Sequence, residues 1–255
     1  MSLDLVAILG SVLTIGARLT GVMLFAPFFG SVAIPARIKA IFVLAVTALL
    51  YPMESGRLPK LPVGRWPMTF LGELVIGTGV GIATNIVFDG IQMAGEVLSI
   101  QMGYSLVNIL DPQTQVESTV VATFHQMIAM LIFLRLNVQL WILRGLARSF
   151  DYLPPATGHL RGAFVQTALH ACASVFATGV QIAAPVLCAT IVADIVLGLL
   201  GKASPQLPVM LLGPAVKSVL GLTVLFFAVQ YWPDQFGQLF VKSVGMADHL
   251  LHLAG

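Results

Sequence analysis

Residues 3–29, LDLVAILGSVLTIGARLTGVMLFAPFF, are charged only at Asp4 and Arg18. At about 1.5 Å of rise per residue, a helix of that length crosses a hydrocarbon layer of roughly 30 Å. Further apolar segments follow at 38–51, 70–88, 119–134, 141–146, 164–185, 186–200 and 209–232. Lipid offers the backbone no hydrogen-bond partners, so such segments satisfy their own N–H and C=O groups as helices. Composition agrees: 58% of the 255 residues are hydrophobic and 9% charged, against about 25% charged in soluble domains. Mean hydropathy is +0.95. The expected fold is all-α, of the integral membrane type. A formal net charge of +2, with its basic residues scattered, does not point to nucleic acid or an anionic surface as the main partner.

The start, MSLDLV, lacks a cationic region and no small-residue cleavage pattern follows it, so the N-terminus is expected to be retained. Segment 38–51 is short for a crossing and is expected to be re-entrant or packed against protein. Prolines 52, 59, 62 and 67 make 52–67 an exposed connection. Gly77 and Gly81 form a small-xxx-small face on which another helix backbone can pack closely. A second polar connection, 144–161, divides the chain, and Pro185 and residues 202–208 are expected to break the last apolar set. The tail, 233–255, reads as a short amphipathic helix at the membrane interface. Lys and Arg occur in nearly every connection except the one around Asp111, which is expected to face away from the cytoplasm. Cys172 and Cys188 have no metal-like spacing and read as two buried thiols.

The organising interval is 90–118, GIQMAGEVLSIQMGYSLVNILDPQTQVES, polar between apolar flanks and free of Lys and Arg. Such an interval in a membrane protein lines a cavity or is buried in protein. Asp89, Gln92 and Glu96 share a face if one helix continues through them. Two readings stand for Gln92, Glu96, Gln101 and Met102: the wall of a hydrophilic conduit, or a polar seam holding helices together. Glu73 and Asp194 pose the same alternative, and Lys202 or Lys217 could partner Asp194. The bulky run Tyr104, Ser105, Leu106, Val107, Asn108, Ile109 and Leu110, ending in the turn at Asp111 and Pro112, could close a pore by excluding water. It could equally be a helix end packed in the core.

Catalytic chemistry is poorly supported. Gly198, Gly201, Lys202 and Ser204 lack the spacing of a phosphate loop, and His249 and His252 lack the acidic company of a metal site. An intramembrane hydrolase would need a nucleophile such as Ser99, Ser105, Cys172 or Cys188. No catalytic residue, cofactor or metal ligand is assigned. A small secondary transporter or channel is the alternative, but no inverted repeat joins the two parts of the chain.

Several runs carry a resemblance through most of the chain: Arg18 with 26–30, APFFG; 35–37, PAR; GE at 95–96 with QMG at 101–103 and DPQTQ at 111–115. Asn137, Trp141, Ser149-Phe150, Pro154, Ala184-Pro185, Gly198, 205–207, PQL, Gly213 and Lys217 continue it. In this order and spacing the chain resembles the FliR/SctT family of type III export-gate proteins, closer to its flagellar branch. Gln139, Pro208, Leu106 and Ile109 depart from common family residues. The resemblance implies helical hairpins assembled into an export-gate complex: a FliP-like part at 1–160 with a plug loop at 103–117, a FliQ-like hairpin at 161–232 and the tail. It also implies that some apparently spanning helices are bent hairpins lifted out of the bilayer. FliP, FliQ, FlhB and FlhA are the implied partners, unfolded substrates the cargo, and the bacterial inner membrane at the flagellar basal body the location. On this reading residues 104–112 plug the pore, and Gln92, Glu96, Gln101, Met102, Asp194, Gln206 and Lys217 form its wall or pack subunits.

Overall fold

The computed structural model describes residues 5–31, 33–54, 63–104, 119–154, 157–158, 162–204, 206 and 208–254. Among these the regular elements are helical: α1 (Leu5–Phe25), α2 (Ala36–Glu54), α3 (Trp66–Gln101), α4 (Val120–Arg135), α5 (Val138–Tyr152), α6 (Gly162–Ala203), α7 (Val209–Ala228) and α8 (Trp232–Ala254). Single 3₁₀ turns precede α3 and join α7 to α8. Five helical stretches are long and apolar enough to cross a membrane, and α4 with α5, bent by 61°, would make a sixth.

Helix continuity departs from the sequence expectation in four places. The helix α2 runs through Pro52 to Glu54, so the connection begins later than its first proline predicts. The 36-residue α3 runs from Trp66 through the polar residues to Gln101, because nothing between them breaks a helix. The 42-residue α6 passes through Pro185. Proline removes one backbone bond, and apolar helices tolerate that where neighbouring groups re-satisfy the freed carbonyl. The helix α5 absorbs Arg144, Arg148 and Asp151, which had read as connection, since it buries Val138, Ile142, Leu146 and Phe150 on one stripe and carries the charges outside.

Two compact units are formed by interleaved segments. The first comprises Met1–Ile86, Leu134–Ala173 and Leu239–Gly255. Ile15, Leu19, Val22, Ile76, Val80, Leu146, Phe150 and Phe240 are among its buried side chains. Within it α1 and α3 touch through backbone: a Cβ added at Gly77 would strike the Arg18 carbonyl, and one at Gly81 would lie 3.0 Å from the Val22 carbonyl oxygen. This is the close approach the two glycines predict. It brings Arg18 of α1 to Glu73 of α3, with Nε 2.6 Å from Oε2. A second guanidinium nitrogen donates to Ser149 Oγ of α5 at 3.0 Å, and the guanidinium carbon lies 4.4 Å from the Phe150 ring centroid. Glu73 therefore belongs to a buried polar seam rather than to a conduit. Along α8 the apolar stripe through Phe240, Ala247, Leu250 and Ala254 is buried in protein, with Lys242, Asp248, His249 and His252 outside.

The second unit comprises Val87–Phe133 and Ser174–Gln238. Its buried set includes Ile91, Leu98, Met102, Ala129, Phe133, Ala183, Val186, Leu225 and Phe236. Phe88 and Phe133 meet edge to face at 5.5 Å, and Trp232 stacks on Phe236.

Outward-facing side chains are largely apolar. Ile38, Ile41, Leu44, Leu49 and Met53 of α2 are exposed, while Thr47 and Leu50 are buried on the face that packs on α1, so α2 meets protein on one side only. Nineteen helical residues reach about 28 Å, near a full crossing. Cys172 and Cys188 are exposed, not buried. On a surface of this kind a thiol sits among other small hydrophobes.

Candidate functional site

The end of α3 is built as a tie point. Gly103 adopts φ +86°, open to glycine at little cost. Its N–H donates to the Ile100 carbonyl at 3.1 Å, and the Tyr104 N–H donates to the Ser99 carbonyl at 2.9 Å. This pair of bonds is the Schellman arrangement, which caps the last helical carbonyls and turns the chain out of the helix. Residues 105–118 follow it.

Helices α6 and α7 form a hairpin joined around Gln206. Asp194 lies about 13 Å of helix before the end of α6, and Lys217 about 12 Å after the start of α7, so they stand level across it. Lys217 Nζ is 3.0 Å from Asp194 Oδ1. Gln101, the last residue of α3, donates from Nε2 to Asp194 Oδ2 at 3.1 Å. The neighbour of Lys217, Ser218, donates its hydroxyl to the Met102 carbonyl at 2.9 Å. Met102 is fully buried. The carboxylate thus accepts from two helices: α6 holds the last side chain of α3 through Asp194, and α7 holds the backbone just past it through Ser218.

The pair is only partly desolvated, with side-chain exposures of 19% for Lys217 and 46% for Asp194. In such surroundings an ion pair is worth little and is weak enough to open and re-form. One and two turns before Gln101 on α3, the Gln92 amide donates to Glu96 Oε1 at 3.1 Å. Both are half-buried. Ser99 is fully buried and donates to Thr119 Oγ1 at 2.6 Å, an engaged hydroxyl rather than a free nucleophile. Among the described residues no group of three or more His, Cys, Asp or Glu side chains could hold a metal ion.

Residues 9–243 match the sequence model of the bacterial export proteins, family 1. The chain belongs to that family. It is similar to the flagellar biosynthetic protein FliR of Pectobacterium carotovorum, 29% identical over 241 residues that cover 93% of this chain and 91% of that protein. The FliR of Bacillus subtilis is 27% identical over 247 residues, 93% of each chain. The FliR of Caulobacter vibrioides is 25% identical over 229 residues, 88% of this chain and 91% of its own.

In this export-family chain the structure joins Gln101, Met102, Asp194 and Lys217 into one cluster and links Gln92 to Glu96. Gln206 is exposed in the α6–α7 connection, a helix segment away from the cluster. Tyr104 is half-buried at the turn. Ser105, Leu106, Val107, Asn108, Ile109, Leu110, Asp111 and Pro112 lie outside the described residues. The pairing of Arg18 with Glu73 and Ser149 had no local signal beyond an arginine in an apolar helix and a glutamate in another. The role of Ser218 had none.

Proposed function

We propose that this chain is a core subunit of the flagellar type III protein export gate, without catalytic turnover of its own. The family, the flagellar naming of the relatives and the long apolar helices support an export component embedded in a membrane. The finer reading rests on one observation: the α3 terminus is tied to the α6–α7 hairpin by Gln101, Asp194, Lys217 and Ser218 at the root of the 103–117 loop. A fixed collar holds an apolar loop across a bore, and bulky side chains there exclude water until an unfolded substrate displaces them. Gln92, Glu96 and Gln101 then help hold the wall, and Tyr104 through Pro112 form the plug.

On this reading the hairpin within 161–232 stands in for a FliQ-like partner and 1–160 for a FliP-like one. The chain assembles with FliP, FliQ and FlhB, and works beside FlhA, in the bacterial inner membrane. Removing residues 104–110 in cells that keep the rest of the apparatus tests it. Raised ion leakage through the assembled gate, with export retained, is the expected result. Leakage equal to that of the intact chain would overturn the plug.

A further inference from the structure

The first unit holds a cavity of about 740 Å³, remote in sequence from the α3 terminus, between α5, α8 and residues Val80 and Thr84 of α3. That volume lies within the roughly 300–1,000 Å³ of small-molecule sites. Two helix positions that line it lack side chains: Gly145 of α5 and Gly245 of α8, where an added Cβ would meet nothing within 4 Å. Neither glycine has a positive φ. Glycine costs a helix up to about 1 kcal/mol relative to alanine in such positions, so close packing does not account for these two.

The lining is amphipathic. Ile142, Leu146 and Leu251 are buried and make an apolar floor. The rim carries two guanidinium groups, Arg144 and Arg148, one helical turn apart and both exposed. It also carries two carboxylates, Asp151 and Asp248. Asp248 is positioned by the Tyr152 hydroxyl, which donates to Oδ1 at 2.9 Å, while His252 stacks on the Tyr152 ring at 4.1 Å. Trp141 and Tyr152 add the amphipathic aromatic rings typical of a membrane–water boundary.

We infer that this cavity binds the headgroup of a zwitterionic phospholipid, phosphatidylethanolamine. The arginine pair takes the phosphodiester, since guanidinium forks match phosphate oxygens. The ammonium, a hydrogen-bond donor, goes to the carboxylates of the rim, and the glycerol and first methylenes lie on the apolar floor. Basic pockets between membrane helices hold lipid headgroups by the same chemistry. Here the two signs on the rim select a headgroup that also carries both. A purely anionic lipid brings no cation to the carboxylates, and a choline headgroup cannot donate to them.

The test uses the full chain, purified in detergent with whatever subunits accompany it, and native mass spectrometry. Phosphatidylethanolamine, phosphatidylglycerol and phosphatidylcholine of matched acyl chains are titrated separately, with soluble phosphoethanolamine as a fourth arm. Phosphatidylethanolamine is expected to bind on the order of fivefold more tightly than either other lipid, and Arg144→Gln with Arg148→Gln to weaken it by at least that factor. Asp151→Asn should narrow its margin over phosphatidylcholine. Gly145→Leu fills open space, so it should abolish binding while the thermal midpoint is kept. Soluble phosphoethanolamine, lacking the apolar part, should not compete at lipid concentrations. Unchanged binding in Gly145→Leu, or phosphatidylglycerol bound as well as phosphatidylethanolamine, would overturn the site. So would a partner subunit cross-linking at position 145 in the assembly, which would make the cavity a protein contact.

Discussion

Arg18 and Glu73, 55 residues apart in sequence, form an ion pair with the arginine fully buried and the glutamate 2% exposed. Removing one member of a buried pair strands the other charge, which costs about 3–5 kcal/mol, whereas replacing both by apolar groups is often near neutral. Glu73→Ala should therefore sharply lower the thermal midpoint of the detergent-solubilised chain and its level in membranes. Arg18→Met combined with Glu73→Leu should recover most of the loss. If the double variant lost the sum of the two single losses, the two side chains would not be coupled.

The backbone contact that delivers this pair makes its own forecast. Alanine at Gly77 drives a methyl into the Arg18 carbonyl, and a rigid helix backbone cannot rotate aside. A cost of about 1–3 kcal/mol is expected from such overpacking. Gly72, one turn earlier, faces open space, and Gly72→Ala should be neutral or stabilising by up to about 1 kcal/mol. Thermal unfolding of the two variants side by side checks the contrast.

These cases also mark what the sequence made legible. Apolar length announced the helices and paired glycines announced where α1 meets α3, since both are local patterns tied to one physical cause. Charges in greasy segments were visible one at a time; Lys217 was one of two candidate partners for Asp194, but the pairing of Arg18 with Glu73 and the bond from Gln101 were not legible. Gln101 and Asp194 are 93 residues apart, and only the packing of the α3 terminus on α6 joins them. Pro185 was misread because proline's local cost is real, and the apolar setting that lets α6 absorb it is not local. The exposed Cys172 and Cys188 were misread because lipid reverses the rule that apolar groups go inside. The glycines at 145 and 245 carried no signal until the helices holding them were set together.

At the α3 terminus the ion pair is half-exposed, so its effect on stability is small. Lys217→Met should change the unfolding free energy by about 0.2–1 kcal/mol. Asp194→Lys is different, because it places a second cation against Lys217 and removes the acceptor of Gln101. On the proposed gate role it should increase leakage and reduce flagellar export. The swap of Asp194→Lys with Lys217→Asp restores the opposite charges and should return much of both. Ion-leakage and motility assays of the three variants decide it. Equal defects in the single and swapped chains would show that the attraction between the two side chains is not what matters.

Gly103 carries two separable burdens. An L-residue at φ +86° is strained by roughly 1–2 kcal/mol, and its Cβ would lie 2.9 Å from Pro214 Cβ. Gly103→Ala should therefore lose stability through both. Adding Pro214→Ala keeps a Cβ there, so it cannot remove the contact; Pro214→Gly can, while itself weakening α7. Comparing Gly103→Ala in the natural and Pro214→Gly backgrounds by thermal unfolding isolates the backbone contribution, since the Pro214→Gly cost is common to both members of the second pair. A Gly103→Ala loss that persists there means that the left-handed turn itself sets the exit angle of residues 105–118. A loss that vanishes would place the constraint in the α3–α7 contact alone, and the chain could then leave α3 by another turn.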